Sequence, residues 1–201
     1  MAISTETVKL VREKTGAGVL DCKKALEEAA GDINKAVVLL REQGIAAAQK
    51  RTDKKAAEGI ISSYIHAGGR IGVLVEINCE TDFVARTDEF QQLAKEIAMH
   101  VAAEDPQYLA REDVPESVIE QEKEIYAAAA RKEGKPDKVI DKIVEGRLNN
   151  FYKQVCLLDQ AYVRDDSKTV GDLLKEVMGK LGENMVLRRF MRFQLGQEAE
   201  E

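Results

Sequence analysis

The fold class of this chain is determined by one stretch, Ile61-Ser62-Ser63-Tyr64-Ile65-His66-Ala67-Gly68-Gly69-Arg70-Ile71-Gly72-Val73-Leu74-Val75-Glu76-Ile77. Apolar side chains occupy alternate positions on both sides of the glycine pair, and a period of two is typical of half-buried strands. Two such runs joined by a short turn containing Gly68-Gly69 predict a β-hairpin.

A helix is predicted directly after this hairpin. Its apolar face consists of Phe90, Leu93, Ala94, Ile97, Ala98 and Val101, and it ends before Pro106. A sheet with a helix over one face predicts an α+β fold with an antiparallel sheet for this part of the chain. Further along, we expect a strand around 155–163, a helix beginning at 169–172 and a β-rich tail over 184–195.

Three short helices precede the hairpin. The pattern predicts a helix from Ser4 to Lys14, a second ending at Gly31, and a third that Asp32 caps and that closes at Gly44. Helices this short are stable only when packed together, so residues 1–45 are predicted to form a compact three-helix module. A basic, alanine-rich helical connector is expected over 46–58, and an α+β core over 59–201.

A long helical hairpin is predicted within this core, at about 116–152. Its helices, 117–131 and 137–152, are joined by Gly134-Lys135-Pro136, and Ser117 to Glu120 fits a capping box. Such a coiled-coil arm would be on the order of 24 Å long. Its apolar stripe, at Val139, Ile140, Ile143 and Val144, is expected either to lie on the core or to pack against another chain.

The composition limits the kind of protein. The chain has 201 residues and a formal charge of −6. Proteins that bind nucleic acid directly use an excess of Lys and Arg to neutralise phosphates, so nucleic acid is not an expected direct partner. No apolar run approaches the roughly 18 residues of a membrane span, and no basic leader is visible. Three widely spaced cysteines suit a reducing compartment. We therefore expect a soluble, cytoplasmic protein.

Catalytic motifs are not evident. The two histidines, His66 and His100, lie outside hydrolase and zinc-binding motifs, and the glycine clusters lack the spacing that cradles a triphosphate. A thiolate pair of Cys79 with His66 is one alternative, although no orienting group is evident. We expect no enzymatic activity, no cofactor or metal site, and no nucleotide bound by the chain itself.

The segment Thr81-Asp82-Phe83-Val84-Ala85-Arg86 follows the second strand of the hairpin. Two interpretations fit it. Asp82 caps the following turn with Phe83 beneath it in the core, or the acidic residue and the ring are exposed for insertion into another molecule.

Four separated segments resemble one protein family. Residues 10–18 with 21–26, residues 81–86, Glu145-Gly146-Arg147-Leu148, and Leu181-Gly182-Glu183-Asn184 closely resemble the corresponding segments of bacterial elongation factor Ts. The resemblance continues to the end of the chain and covers essentially all of it.

That resemblance implies a guanine nucleotide exchange factor for elongation factor Tu, the GTPase that delivers aminoacyl-tRNA. By resemblance, Thr81, Asp82, Phe83 and Val84 would dislocate magnesium from this partner. The N-terminal module, similar to ubiquitin-associated domains, would grip a helix of the GTPase through Arg12, Val19, Leu20 and Lys23. His66 and Leu181 match further positions that touch the partner.

The chain resembles the short form of the family, which has a single hairpin of this kind. We therefore expect a homodimer built from sheet residues near Arg188 to Phe193. Two other functions stay open at this point. The N-terminal module alone would suit a general adaptor, and Cys79 would suit a thiol enzyme.

Overall fold

A computed structural model of the chain describes residues 3–197, except for the side chains of residues 47–49. The start of the predicted domain 1–45 and the end of the predicted domain 59–201 therefore lie outside the described residues. The described elements are α1 (Thr5–Thr15), α2 (Val19–Glu28), α3 (Ile33–Gln49), β1 (Glu58–Ile65), β2 (Ile71–Cys79), α4 (Asp82–Ala85), α5 (Asp88–Glu104), α6 (Glu116–Lys132), α7 (Asp137–Val155), β3 (Ala161–Tyr162), β4 (Asp165–Thr169), α8 (Val170–Leu181) and β5 (Met185–Gln194). The fold is α+β, as predicted.

Contacts divide the chain into two compact units. Unit 1 contains residues 1–62, 75–95 and 172–188, and unit 2 contains residues 63–74, 96–171 and 189–201. The predicted division into 1–45, 46–58 and 59–201 concerns which parts fold independently, and it stays a prediction.

The three N-terminal helices pack on one another as the spacing predicts. Their shared core consists of Val11, Cys22, Ala25, Leu26, Ala29, Ala36 and Leu40. The Ser4 hydroxyl accepts the Thr7 N–H at 3.1 Å and begins α1, and the Asp32 carboxylate accepts the Lys35 N–H at 3.1 Å and begins α3. These apolar positions form one cluster because none of the helices could bury its face alone.

The end of α3 differs from the prediction. The helix passes Gly44 and continues to Gln49, and residues 50–57 form turns and irregular chain, so a helical connector over 46–58 is wrong beyond Gln49. Gly44 lies where α8 approaches α3, since a Cβ atom built on it would be 3.8 Å from the Cα of Gly179. A glycine that ends a helix in many sequences here serves close packing instead.

Strands β1, β2 and β5 form a three-stranded sheet in that order. The predicted hairpin is present as β1 and β2. Strand β5 runs antiparallel to β2, because the Asn184 N–H reaches the Glu80 carboxylate at the C-terminal end of β2 while the Leu195 N–H reaches the Arg70 carbonyl at its beginning. Burial alternates along β2, where Val73, Val75, Ile77 and Cys79 are all buried.

The helical arm is present as α6 and α7, which pack against each other. Ala130 and Ile140 are buried between them, and the other residues of the predicted stripe are half-buried within the same chain. The proposed capping box is wrong, because α6 begins at Glu116 after Pro115 and no side chain caps it. A contact of the arm with another chain stays a prediction.

The segment after the arm is the least well predicted. Helix α7 extends to Val155 and a 3-10 turn covers Leu157–Asp159, so the strand expected over 155–163 is reduced to β3. Strand β4, which pairs with β3 antiparallel, was not predicted because its sequence, Asp-Asp-Ser-Lys-Thr, has no apolar alternation. Helix α8 and strand β5 lie where expected. Among the described residues, no helix is both long and apolar enough to cross a membrane.

Candidate functional site

The Thr81–Arg86 segment forms a single helical turn, α4, at the end of β2. The Thr81 hydroxyl accepts the Val84 N–H at 3.4 Å, so Thr81 is the N-cap residue. The alternative in which Asp82 caps the turn is therefore wrong, because threonine supplies the cap one residue earlier.

Phe83 projects from this turn into solvent. Its side chain is 80% exposed, whereas Ala85 on the same turn is buried. The interpretation that places Phe83 in the core is therefore wrong. Asp82 is half-exposed, and its carboxylate forms an ion pair with the Arg86 guanidinium at 2.9 Å.

A carboxylate from a distant part of the sequence holds the base of the turn. Glu183 accepts the Thr81 N–H at 3.0 Å with one oxygen and the Thr81 hydroxyl at 2.6 Å with the other. Charge-assisted bonds of this kind are stronger than neutral ones. The hydroxyl therefore donates to Glu183 and keeps its lone pairs for the Val84 N–H.

A second carboxylate makes the reciprocal connection. Glu80, the residue before Thr81, accepts the N–H of Asn184, the residue after Glu183, at 2.7 Å. The buried Asn184 side chain donates in turn to the carbonyls of Thr52 and Lys54 at 3.3 and 2.6 Å. We call the pair of contacts, Glu183 with Thr81 and Glu80 with Asn184, the carboxylate clamp.

Cys79 lies beneath the clamp and is not a reactive thiolate. The thiol donates to the Thr81 carbonyl at 3.1 Å. Burial, with the negative charge of Glu183 nearby, raises the pKa of Cys79 to about 11. The thiol is therefore protonated at neutral pH, which removes the nucleophile that a thiol enzyme based on Cys79 would need.

The four N-terminal site residues lie where α1 ends and α2 begins. Val19 and Leu20 are 51% and 72% exposed, and Lys23 follows one turn later on the same helix. Arg12 is exposed in the last turn of α1, next to the fully buried Val11. The core of the module is thus complete without these four side chains, which are accessible to a partner.

Leu181 lies two residues before Glu183, which contacts Thr81. Leu181 is the last residue of α8, and Gly182 follows with a φ of +73°, a conformation that glycine adopts without strain. This reversal places Glu183 against Thr81. His66 belongs to unit 2, where it is exposed at the end of the hairpin and its Nδ1 lies 3.1 Å from the Tyr64 hydroxyl.

Glu80, Glu183 and Asn184 were not assigned as site residues from the sequence. Glu183 and Asn184 belong to the Leu181-Gly182-Glu183-Asn184 segment, in which only Leu181 is a predicted site residue. The sequence signal that was available for Glu183 is its position directly after Gly182, a glycine that follows the end of a predicted helix. The contact itself joins residues 102 positions apart.

Known proteins resemble the whole chain. The family model described as Elongation factor TS matches residues 6–197. Elongation factor Ts of Thermoanaerobacter sp. (strain X514) is 60% identical over 198 residues, which is 98% of this chain and 97% of that protein. Elongation factor Ts of Caldanaerobacter subterraneus subsp. tengcongensis is 60% identical over 199 residues, covering 99% and 100%. That of Thermodesulfovibrio yellowstonii is 56% identical over 201 residues, covering both chains completely. The chain belongs to the elongation factor Ts family.

Proposed function

We propose that this chain is a guanine nucleotide exchange factor for elongation factor Tu in translation elongation. The observation that carries the proposal is Phe83, a large ring that is 80% exposed on a turn whose N-cap residue, Thr81, is hydrogen-bonded to Glu183. An exposed aromatic side chain on a well-held turn is a typical anchor for insertion into another protein. Membership of the elongation factor Ts family is what links that anchor to elongation factor Tu as the proposed partner.

The proposed site residues divide the work between insertion and docking. Phe83 enters the partner as an apolar wedge, Asp82 competes for groups that order the water shell of its magnesium, and Thr81 and Val84 form the turn. Magnesium requires nearly ideal octahedral geometry, so a modest displacement of its surroundings weakens nucleotide binding. The N-terminal module docks on the partner through its exposed residues Arg12, Val19, Leu20 and Lys23. Two positions outside the module, His66 and Leu181, make further contacts with the partner.

Exchange follows from thermodynamic linkage. When the factor binds the nucleotide-free GTPase more tightly than the loaded form, it lowers nucleotide affinity by the same ratio, and GTP in turn displaces the factor. A thousandfold weakening requires about 4 kcal/mol of differential contact, which an aromatic anchor and a docking surface can supply. The chain makes and breaks no covalent bond in this process and binds no nucleotide itself. Because elongation occurs on ribosomes, the proposed location is the cytoplasm.

We also propose that the protein is a homodimer. In unit 2, Met191 and Phe193 are 57% and 60% exposed on β5. Arg192, between them, pairs with Asp105 at 3.3 Å just after α5, so its two neighbours project from the opposite face of the strand. Leu74 on the adjacent strand β2 and Ile65 on β1, the strand beyond it, are exposed as well. A cluster of large apolar side chains on an uncovered sheet face suits a self-complementary contact.

The release of fluorescent GDP from elongation factor Tu tests the function. We expect the wild-type chain to accelerate release and Phe83→Ala to reduce that acceleration by about tenfold or more, the loss of one aromatic anchor. Phe83 is exposed, so the variant should unfold at the same urea concentration as the wild type.

The matched control is Val38→Ala, which removes an apolar side chain that is 53% exposed on α3. It should leave GDP release unchanged. Equal acceleration by wild type and Phe83→Ala would overturn the role of Phe83, and no acceleration by the wild type would overturn the exchange function.

A further inference from the structure

Three polar groups of Thr81 are held by other residues, and Glu183 holds two of them. Its carboxylate accepts the N–H at 3.0 Å and the hydroxyl at 2.6 Å, while the Cys79 thiol donates to the carbonyl at 3.1 Å. All of these groups belong to unit 1. The orientation of Thr81 is therefore fixed before any partner arrives.

The orientation of Thr81 sets that of α4. The turn has four residues, too short to be stable by itself, and its N-terminus depends on the Thr81 hydroxyl accepting the Val84 N–H. Because the hydroxyl proton is given to Glu183, the oxygen faces Val84 with its lone pairs. Without the carboxylate, the hydroxyl is free to rotate and the cap weakens.

Both hydrogen bonds described for the Glu183 carboxylate go to Thr81. Glu183 and Thr81 are both partly accessible, and the reciprocal bond from Asn184 to Glu80 already ties the end of β2 to the start of β5. Glu183 thus acts on the one turn that presents Phe83, whereas Glu80 acts on the strand ends.

We infer that Glu183 is a positioning residue for nucleotide exchange: it holds the α4 turn so that Phe83 enters the partner already oriented. This inference rests on the proposed function and adds a residue to it. A pre-oriented ring loses less conformational freedom on insertion, so the advantage appears in the insertion step and not in docking.

The first test measures the turn in the free protein. In Glu183→Ala, the amide protons of Val84 and Ala85 should exchange with solvent about tenfold faster than in wild type, while those of Val75 and Ile77 in β2 should be unchanged. The control is Glu80→Gln, which alters the other half of the carboxylate clamp and should leave the α4 amides protected. Unchanged exchange at Val84 and Ala85 in Glu183→Ala would overturn the inference.

The second test measures GDP release from elongation factor Tu against the concentration of the full chain. Glu183→Ala, which removes both hydrogen bonds to Thr81, should lower the maximal release rate by about tenfold or more, with little change in the half-saturating concentration. Glu183→Gln, which keeps one acceptor oxygen, should lie between the two. A change confined to the half-saturating concentration would contradict a positioning role.

A double-mutant cycle separates positioning from general destabilisation. If Glu183 acts through Phe83, then Phe83→Ala with Glu183→Ala should be no slower than Phe83→Ala alone. Losses that simply add would overturn the inference. If the wild type does not accelerate GDP release from elongation factor Tu, the nucleotide exchange function is wrong. Faster amide hydrogen exchange at Val84 and Ala85 in Glu183→Ala would still establish that Glu183 holds the turn.

Discussion

Side chains two residues apart on α4 occupy opposite environments. Ala85 is 6% exposed and Phe83 is 80% exposed. Burying a phenylalanine would contribute about 1.5–3 kcal/mol to stability, and this fold leaves that contribution unused. A partner that covers the ring would recover it on binding, which is why the exposed ring carries the functional proposal.

His100 shows the opposite case, a polar side chain enclosed completely. In unit 2 its Nδ1 accepts the Val163 N–H at 3.2 Å, and its Nε2 lies 3.0 Å from the Gln160 side-chain oxygen. The ring is therefore a neutral tautomer that accepts at one nitrogen and donates at the other. Burial lowers the pKa of His100 below its usual 6.5, and Gln160 and Glu104 oppose that shift only partly.

This geometry predicts acid sensitivity. The unfolded chain binds a proton at His100 more readily than the folded chain. Protonation of His100 therefore does not reduce the free energy of unfolding above pH 6.5, and reduces it progressively as the pH decreases from 6.5 toward the lowered pKa of the folded state. Urea unfolding of wild type and His100→Gln between pH 7.5 and 5 checks this. The variant should be about 1–3 kcal/mol less stable at neutral pH, from altered buried hydrogen bonds, but should lose less stability with acid. Parallel pH profiles would show that His100 is not responsible.

Among the helices, α3 and α8 approach closely enough to exclude side chains. A Cβ atom on Gly179 would lie 2.7 Å from the Gly44 carbonyl oxygen, and the Arg41 guanidinium pairs with Glu176 one turn away. Gly146 on α7 differs, because a Cβ atom there would have no neighbour within 4 Å among the described residues.

The two glycines predict opposite results for the same substitution. Gly179→Ala should lower the free energy of unfolding by about 1–3 kcal/mol, since it forces two backbones apart. Gly146→Ala should raise it by about 0.5–1 kcal/mol, since alanine favours an open helical position. Urea denaturation measures both. A stabilising effect at Gly179 would mean that α3 and α8 lie farther apart than described.

For the whole molecule, the exposed sheet face predicts the oligomeric state. Light scattering during size-exclusion chromatography should give twice the 22.3 kDa mass of one chain at micromolar concentration. Replacing both Met191 and Phe193 by glutamate should give the single-chain mass, because charges on an apolar contact are not compensated. The control is Val38→Glu, which places a glutamate at an exposed apolar position on α3 and should stay dimeric. A wild-type protein of single-chain mass would exclude the homodimer.

The sequence by itself determined the elements that repeat a simple period. Alternation predicted β1 and β2, and helical spacing predicted α1, α2, α5, α6 and α7. These signals are local, since each element must bury one face whatever lies opposite it. Strand β4 was not predicted because its polar sequence lacks that signal. The site residues taken from the segments that resemble the family stay predictions.

Only the tertiary structure determined how the site is held. The sequence left both a core and a surface position open for Phe83, and the folded chain exposes it. The bond from Thr81 to Glu183 joins residues 102 positions apart, and Gly44, which lies inside α3, packs closely against Gly179 of α8. A local pattern specifies which face of an element is buried, but long-range partners are specified only by packing in three dimensions.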